Sequence, residues 1–213
     1  MKIILVKTPL IAKKMFPNYI WDIPTATKEL YLTFDDGPTP EITNWTLDTL
    51  KQYNAKATFF CIGANIEKHP DIFQSIIKDN HAIGNHTQHH VKGWKTKTKT
   101  YLDEVLETKK LIELQQPKAS NLFRPPYGRI TPTQGKKLMA LGYKIIMWDV
   151  LSFDWQKEVS AQDCTNNVIS KSKEGSIIVF HDSIKASKNM MHALPKVLQY
   201  FSEAGYNFKA LNI

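Results

Sequence analysis

Short apolar runs alternate with longer amphipathic stretches along most of the chain, and this alternation restricts the possible fold more than any other feature. Residues 30–34, 57–62, 121–123, 143–148 and 176–180 read as strands: short, rich in β-branched and aromatic side chains, and bounded by turn residues. Residues 70–78, 101–114, 133–141, 159–171 and 190–201 instead carry apolar side chains at helical spacing. A further helix should open at Thr39-Pro40, with Thr39 as N-cap, and bury Ile42, Trp45, Leu50 and Tyr53. In the helix at 101–114 the inward residues should be Leu102, Val105, Leu106 and Ile112, and Gly142 should close the helix before it. Strands that alternate with helices pair in parallel, so the expected fold class is α/β, with the sheet open or closed into a barrel. No repeat or linker divides the 213 residues, and residues 1–28, which fit the alternation poorly, should wrap the outside of the core.

Composition narrows the function classes. At 42% hydrophobic and 23% charged, the chain can build one sizeable core. No apolar run reaches the roughly 20 residues that span a bilayer. Residues 1–7 hold four consecutive apolar residues before a Lys, short of a secretory leader, so the chain as it stands reads as cytoplasmic, with a trimmed leader or another export route as open alternatives. The net charge of +8 admits nucleic acid or an anionic cell-wall polymer as partner, but a solvated basic surface is the plainer reading. The densest basic run, residues 92–99, has one aromatic and matches no nucleic-acid module, so no nucleic-acid partner is expected. Cys61 lies in an apolar strand and reads as a packed free thiol. Two cysteines this far apart, Cys61 and Cys164, make no cysteine-based zinc site.

Polar residues follow the strands in a pattern that folding alone does not require. Asp35 and Asp36 come after the first, Arg124 after 121–123, Asp149 and then Asp154-Trp155 after 143–148, and His181-Asp182 after 176–180. In a barrel such positions gather at one rim, where active sites lie. Adjacent aspartates before Gly-Pro also occur in ordinary turns, where they cap backbone groups. His86-Thr87-Gln88-His89-His90, taken as one helical turn, puts His86 and His90 on one face, able to grip one metal ion, with His89 turned away. Thr87 stands where a zincin has Glu, which excludes that class. Two histidines plus one Asp would leave a position for water, the catalytic rather than the structural pattern. Arg124, stiffened by Pro125-Pro126, reads either as a surface Arg on a turn or as a partner for a carboxylate through two parallel hydrogen bonds. His181 is semi-buried, and a nearby carboxylate would make it an acid of tunable pKa. His69 and His81 read as surface or packing residues.

Together, Thr33-Phe34-Asp35-Asp36-Gly37, His86-Thr87-Gln88-His89-His90, Arg124-Pro125-Pro126-Tyr127-Gly128, Asp154-Trp155 and Ile177-Ile178-Val179-Phe180-His181 resemble, in order, the motifs of the polysaccharide deacetylase family. This is the NodB-homology group, carbohydrate esterase family 4, which includes chitin and peptidoglycan deacetylases. The likeness covers residues 29–213. It implies a single-domain α/β fold, a distorted (β/α) barrel of NodB-homology type, preceded by an extension over residues 1–28 that packs on it. It implies a divalent metal held by Asp36, His86 and His90, with Zn2+ first and Co2+, Ni2+ or Mn2+ as alternatives. By the same match Asp35 is the base, oriented by Arg124, and His181 is the acid, tuned by Asp154. Trp155 and Val179 wall the acetyl pocket, and the Tyr127 backbone N–H helps to stabilise the oxyanion. The implied activity is metal-dependent N-deacetylation of GlcNAc-containing glycans of chitin or peptidoglycan type.

Two residues depart from the family pattern. Leu151 precedes Ser152 where the family often has Asp, and Val179 replaces a more usual Leu, which should widen the acetyl pocket. The family is often extracytoplasmic, in contrast to the leaderless start. De-O-acetylation, as of acetylxylan, would use the same residues. A non-catalytic glycan- or nucleic-acid-binding module would need neither base, acid nor the three ligands.

Overall fold

The computed structural model describes residues 5–117 and 121–213, and the opening residues 1–4, most of the segment judged too short for a leader, lie outside it. In chain order the elements are α1 (Leu10–Met15), β1 (Glu29–Asp35), α2 (Ile42–Gln52), β2 (Ala57–Cys61), α3 (Gly63–Lys68), α4 (Pro70–Lys78), β3 (Ala82–Asn85) and α5 (Thr98–Gln115). Then come β4 (Leu122–Phe123), α6 (Pro132–Ala140), β5 (Lys144–Ile145), β6 (Val150–Leu151), α7 (Ala161–Lys171), β7 (Ile177–His181), α8 (Ser187–Glu203) and β8 (Asn207–Phe208). The strands form one parallel sheet in the order β5-β4-β3-β2-β1-β7-β6, with β8 beside the start of β1. This is the single-domain distorted barrel of α/β class. No helix among the described residues is long and apolar enough to cross a membrane.

β1 runs through the middle, and its alternation divides the molecule into an outer and an inner face. Leu30, Leu32 and Phe34 join the large cluster that packs against α2, α4, α7 and α8, and Phe34 stacks between Phe59 and Phe180 at centroid distances of 5.0 and 6.1 Å. Successive strand residues point to opposite faces, so Tyr31, Thr33 and Asp35 turn into the barrel. Tyr31 meets Phe60, Leu122, Ile146, Ile177 and Leu211, an apolar plug that fills the lower interior. The parallel register sets Asp35 opposite His181, so the two reach the upper rim side by side. Burial on both faces explains why residues 30–35 are all buried, as expected for a parallel strand.

Several sequence expectations change. α2 begins at Ile42, not at Thr39-Pro40, and Thr39 donates its N–H to Thr43 Oγ1 instead of capping. Leu106 is 38% exposed; the buried residues of α5 are Tyr101, Val105, Thr108 and Ile112. α6 starts one residue earlier than expected because Thr131 and Gln134 form a reciprocal capping box, and Gly142, at φ 84°, closes it as expected. The expected strand at 143–148 breaks after Ile145, and the chain re-enters the sheet as β6. Asp149 therefore precedes a strand and sits at the opposite end from the rim. It accepts from Ser176 Oγ at 2.6 Å, at the start of β7, and pairs with Lys7 and Lys13 at 2.5 and 2.7 Å. Residues 7, 20 and 22 bridge to Val150, Ile146 and Ser176, which lays the N-terminal segment along the barrel. Cys61 and Cys164 are buried free thiols.

Candidate active site

Five chain segments bring charged side chains to the upper mouth of the barrel, around a cavity of about 410 Å³ whose wall includes Asp35, Asp36, His86, His90, Trp155 and His181. Burying this many ionisable groups is costly unless each is paired or binds an ion, so their partners show what the site is built to do.

Arg124 is 0% exposed and makes hydrogen bonds from all three guanidinium nitrogens. Its Nη1 donates to Asp35 Oδ1 at 2.7 Å and to Thr33 Oγ1 at 2.6 Å, its Nη2 to the Met147 carbonyl at 2.8 Å, and its plane lies 4.1 Å from the Phe60 ring centroid. The surface-Arg alternative is thereby excluded. The pairing uses one hydrogen bond to Asp35 rather than the expected two, because the second Nη1 N–H goes to Thr33 while Nε and Nη2 turn to the Ile146 and Met147 carbonyls. Asp35 Oδ2 makes no hydrogen bond among the described residues, though the carboxylate is only 4% exposed. Burial would raise the Asp35 pKa, but the charge of Arg124, with that of His181, holds it below the usual carboxylate range.

His86 and His90 do not lie on a helical turn. β3, which the sequence reading missed, ends at Asn85, and Thr87 and His90 adopt left-handed φ values of 66° and 54°. The loop is fixed by Asn85 Oδ1 accepting from the Thr87 N–H, and by the Gly63 and Ala64 N–H groups donating to the Thr87 and Gln88 carbonyls. Through this loop rather than a helix the imidazoles still converge: their Nε2 atoms lie 3.7 and 3.3 Å from Asp36 Oδ1. One ligand atom from each of Asp36, His86 and His90 lies within 4.8 Å of the others. His86 Nδ1 lies 2.8 Å from the Arg124 carbonyl, which sets the tautomer and leaves Nε2 with a free lone pair. Burial pushes the His86 pKa down, and burial together with His86 pushes His90 to about 4, so both rings are neutral and able to ligate. Asp36 Oδ1 is buried without a hydrogen-bond partner among the described residues. An orphaned carboxylate oxygen facing two neutral imidazoles fits a cation and is costly otherwise. His89 turns away to Glu104, and His81 accepts from the Ala57 N–H.

Across the cavity Asp154 holds His181 twice, accepting from its backbone N–H at 2.7 Å and meeting its Nδ1 at 2.8 Å. Burial disfavours the charged ring, but the attraction and hydrogen bond of Asp154 outweigh it and raise His181 to about 9. Trp155 packs edge-on against that ring at 4.7 Å, and with Leu151 and Val179 it lines the apolar side of the cavity. Tyr127 sits at φ 58°, a conformation a non-glycine residue holds only under constraint, and its N–H has no acceptor among the described residues. Gly128 follows at φ 63°, where a Cβ would run into the Trp148 indole.

All ten expected site residues thus border or support one cavity. Three supports were missed. Asp182 is fully buried and accepts from the Gly37 N–H at 3.0 Å and from Thr43 Oγ1 at 2.5 Å, which pins the turn after Asp36. Burial raises its carboxyl to about 8. Asn65 Nδ2 donates to the Asp36 carbonyl at 2.7 Å, and Thr33 shares Arg124 with Asp35. Adjacency to His181 was the only available signal for Asp182; Asn65 lies on α3, a helix the sequence pattern did not reveal.

The polysaccharide deacetylase family matches residues 22–146. A peptidoglycan-N-acetylglucosamine deacetylase of Bacillus cereus is 38% identical over 194 residues, covering 91% of this chain and 70% of the relative. A second from that organism is 34% identical over 203 residues, covering 93% and 94%. The crystal structure of the Bc1960 peptidoglycan N-acetylglucosamine deacetylase with 4-naphthalen-1-yl-N-oxidanyl-benzamide is similar at a TM-score of 0.88 and 36% identity, covering 96% of this chain and 95% of that one.

Proposed function

The chain belongs to the polysaccharide deacetylase family, and from that premise we propose that it hydrolyses N-acetyl groups of a GlcNAc-containing glycan of peptidoglycan or chitin type. The observation that carries this reading is the placement of two oppositely tuned groups, Asp35 and His181, beside the Asp36–His86–His90 cluster in one cavity. Asp36, His86 and His90 would hold a divalent ion, Zn2+ first by donor set, which when bound supplies Lewis acidity toward the acetyl carbonyl and the attacking water.

The chain's own residues supply the rest. Asp35, ionised and held by Arg124, presents its free Oδ2 to accept the proton of the attacking water. The Tyr127 N–H, held without an acceptor, is available to donate to the oxygen that gains charge in the tetrahedral intermediate. His181 is protonated at neutral pH because Asp154 fixes Nδ1–H and raises its pKa, so Nε2–H delivers the proton to the departing amine nitrogen. Leu151, Trp155 and Val179 give the acetyl methyl an apolar wall. Leu151, where the family often places Asp, makes that wall more apolar.

The test is acetate release from peptidoglycan glycan strands, chitin oligosaccharides and acetylxylan, with chelator and with metals restored. The reading expects metal-restored release from the N-acetylated glycans. Release from acetylxylan alone would replace it with an O-acetyl esterase. No release from any substrate under metal-restored conditions would overturn it.

A further inference from the structure

We propose that a groove running from the catalytic cavity past the 38–40 turn is a binding subsite for a carboxylate-bearing sugar, read by Lys68 and Lys185. This rests on the deacetylase reading and extends it to the chemistry of the neighbouring sugar. A glycan polymer that places one acetamido group in the catalytic cavity must lead its next residue out along the surface. The groove is continuous with the cavity: Asp36, His90, Ser183 and Lys185 border both. From there it runs between the Pro38-Thr39-Pro40 turn and the end of α3, where Lys68 and His69 stand. At about 450 Å³ it is comparable with the cavity itself and within the range of ordinary small-ligand sites.

The charge of its lining is one-sided. Lys68 and Lys185 are exposed, and neither makes an ion pair with a carboxylate among the described residues, unlike Lys7, Lys13, Lys99 and Lys109. Asp36 is the sole acidic residue in the lining, and its Oδ1 is turned to His86 and His90. Neutral sugars offer hydroxyls that any polar side chain can meet, and they gain nothing special from two unpaired ammonium groups. A sugar carrying a carboxylate, such as a muramoyl residue whose lactyl carboxyl is free of a stem peptide, gains charge-assisted contact there. The groove therefore favours a strand whose neighbouring sugar is anionic over a neutral N-acetylglucosamine oligomer.

The test compares wild type with the Lys68→Gln/Lys185→Gln double variant on three substrates. These are muramoyl-containing glycan strands freed of stem peptides, the same strands with their lactyl carboxyl groups converted to amides, and N-acetylglucosamine oligomers. Both ammonium groups are solvated, so the expected effect is modest: the ratio of kcat/KM for acidic over neutral strands falls about fivefold, through KM. The wild-type ratio should also fall with added salt and with amidation. Binding of the same three ligands to the Asp35→Asn variant, followed calorimetrically, reads the subsite without turnover. An unchanged ratio in the double variant, or equal wild-type affinity for acidic and amidated strands, overturns the subsite. Absence of acetate release together with charge-dependent binding would overturn the deacetylase reading and leave the subsite standing.

Discussion

Two clusters of buried charge sit at opposite ends of the same barrel, and they differ in how completely they are satisfied. At the lower end, Asp149 is surrounded: Lys7, Lys13 and Ser176 all donate to it, and Lys13 also pairs with Asp22. Burial would raise the Asp149 carboxyl, and the hydrogen bonds from Lys13, Lys7 and Ser176 hold it below its ordinary value. At the upper end, Asp36 Oδ1 is left without a donor, Asp35 keeps one oxygen free, and the surrounding space is a cavity rather than packed chain. Both ends use aspartates and cations. The lower set closes on itself and ties the N-terminal segment to the barrel, whereas the upper set leaves a carboxylate oxygen without a partner beside a cavity. Unmet polar capacity facing an open cavity, more than charge itself, marks the working end.

The largest effects should come from Asp35→Asn and His86→Ala. Loss of the base should lower kcat for acetate release by about 10²–10⁴-fold while metal content by elemental analysis persists. Retained activity would remove Asp35 from the chemistry. His86→Ala should abolish metal retention on dialysis as well as activity, and a variant that keeps stoichiometric metal would break the assignment of the ligands.

Asp149→Ala should act in the opposite sense. It leaves two lysines without their buried partner and should cost about 3 kcal/mol in denaturant unfolding, while kcat of the folded fraction stays near wild type. Since Lys7 is 34% exposed at its side chain, water recovers part of that loss. A large fall in kcat with unchanged stability would erase the contrast between the two ends.

The pH profile sharpens the comparison further. His181 is raised to about 9, so its acid form is present at neutral pH and lost as pH rises through about 9, and activity should decline there. Asp154→Asn removes the charge that holds the proton, and the alkaline limb should move toward the ordinary histidine range near pH 6.5. An alkaline limb unmoved in that variant would exclude His181 as the titrating acid. The smallest effect is expected from Asp182→Asn. This isostere keeps one acceptor for the Gly37 N–H or Thr43, and should weaken metal binding a few-fold by loosening the turn after Asp36.

How much of this was legible depended on whether local pattern or distant packing decided each feature. β1, β2 and β7 were readable because their apolar runs are continuous and their polar ends abrupt, and the same ends deliver Asp35 and His181. β3 was not, because Gly84 interrupts its short run: a Cβ there would run into the Phe60 ring, a constraint from the neighbouring strand. The convergence of His86 and His90 was anticipated through the wrong local geometry. Their left-handed loop is imposed by Asn85 and by contacts with the start of α3, none of which lies in the spacing of the two histidines. Asp149 was misplaced because the break after Ile145 is supported by Ile20, whose N–H donates to the Ile145 carbonyl and whose carbonyl accepts from Met147. Contacts more than 100 residues apart in sequence leave no periodic trace.

The most direct test is anomalous diffraction from crystals grown with Zn2+, read at the upper mouth of the barrel. The account predicts one peak about 2.0–2.2 Å from a carboxylate oxygen of Asp36 and from the Nε2 atoms of His86 and His90. A fully occupied peak elsewhere, or an empty cluster in zinc-saturated crystals, would contradict it.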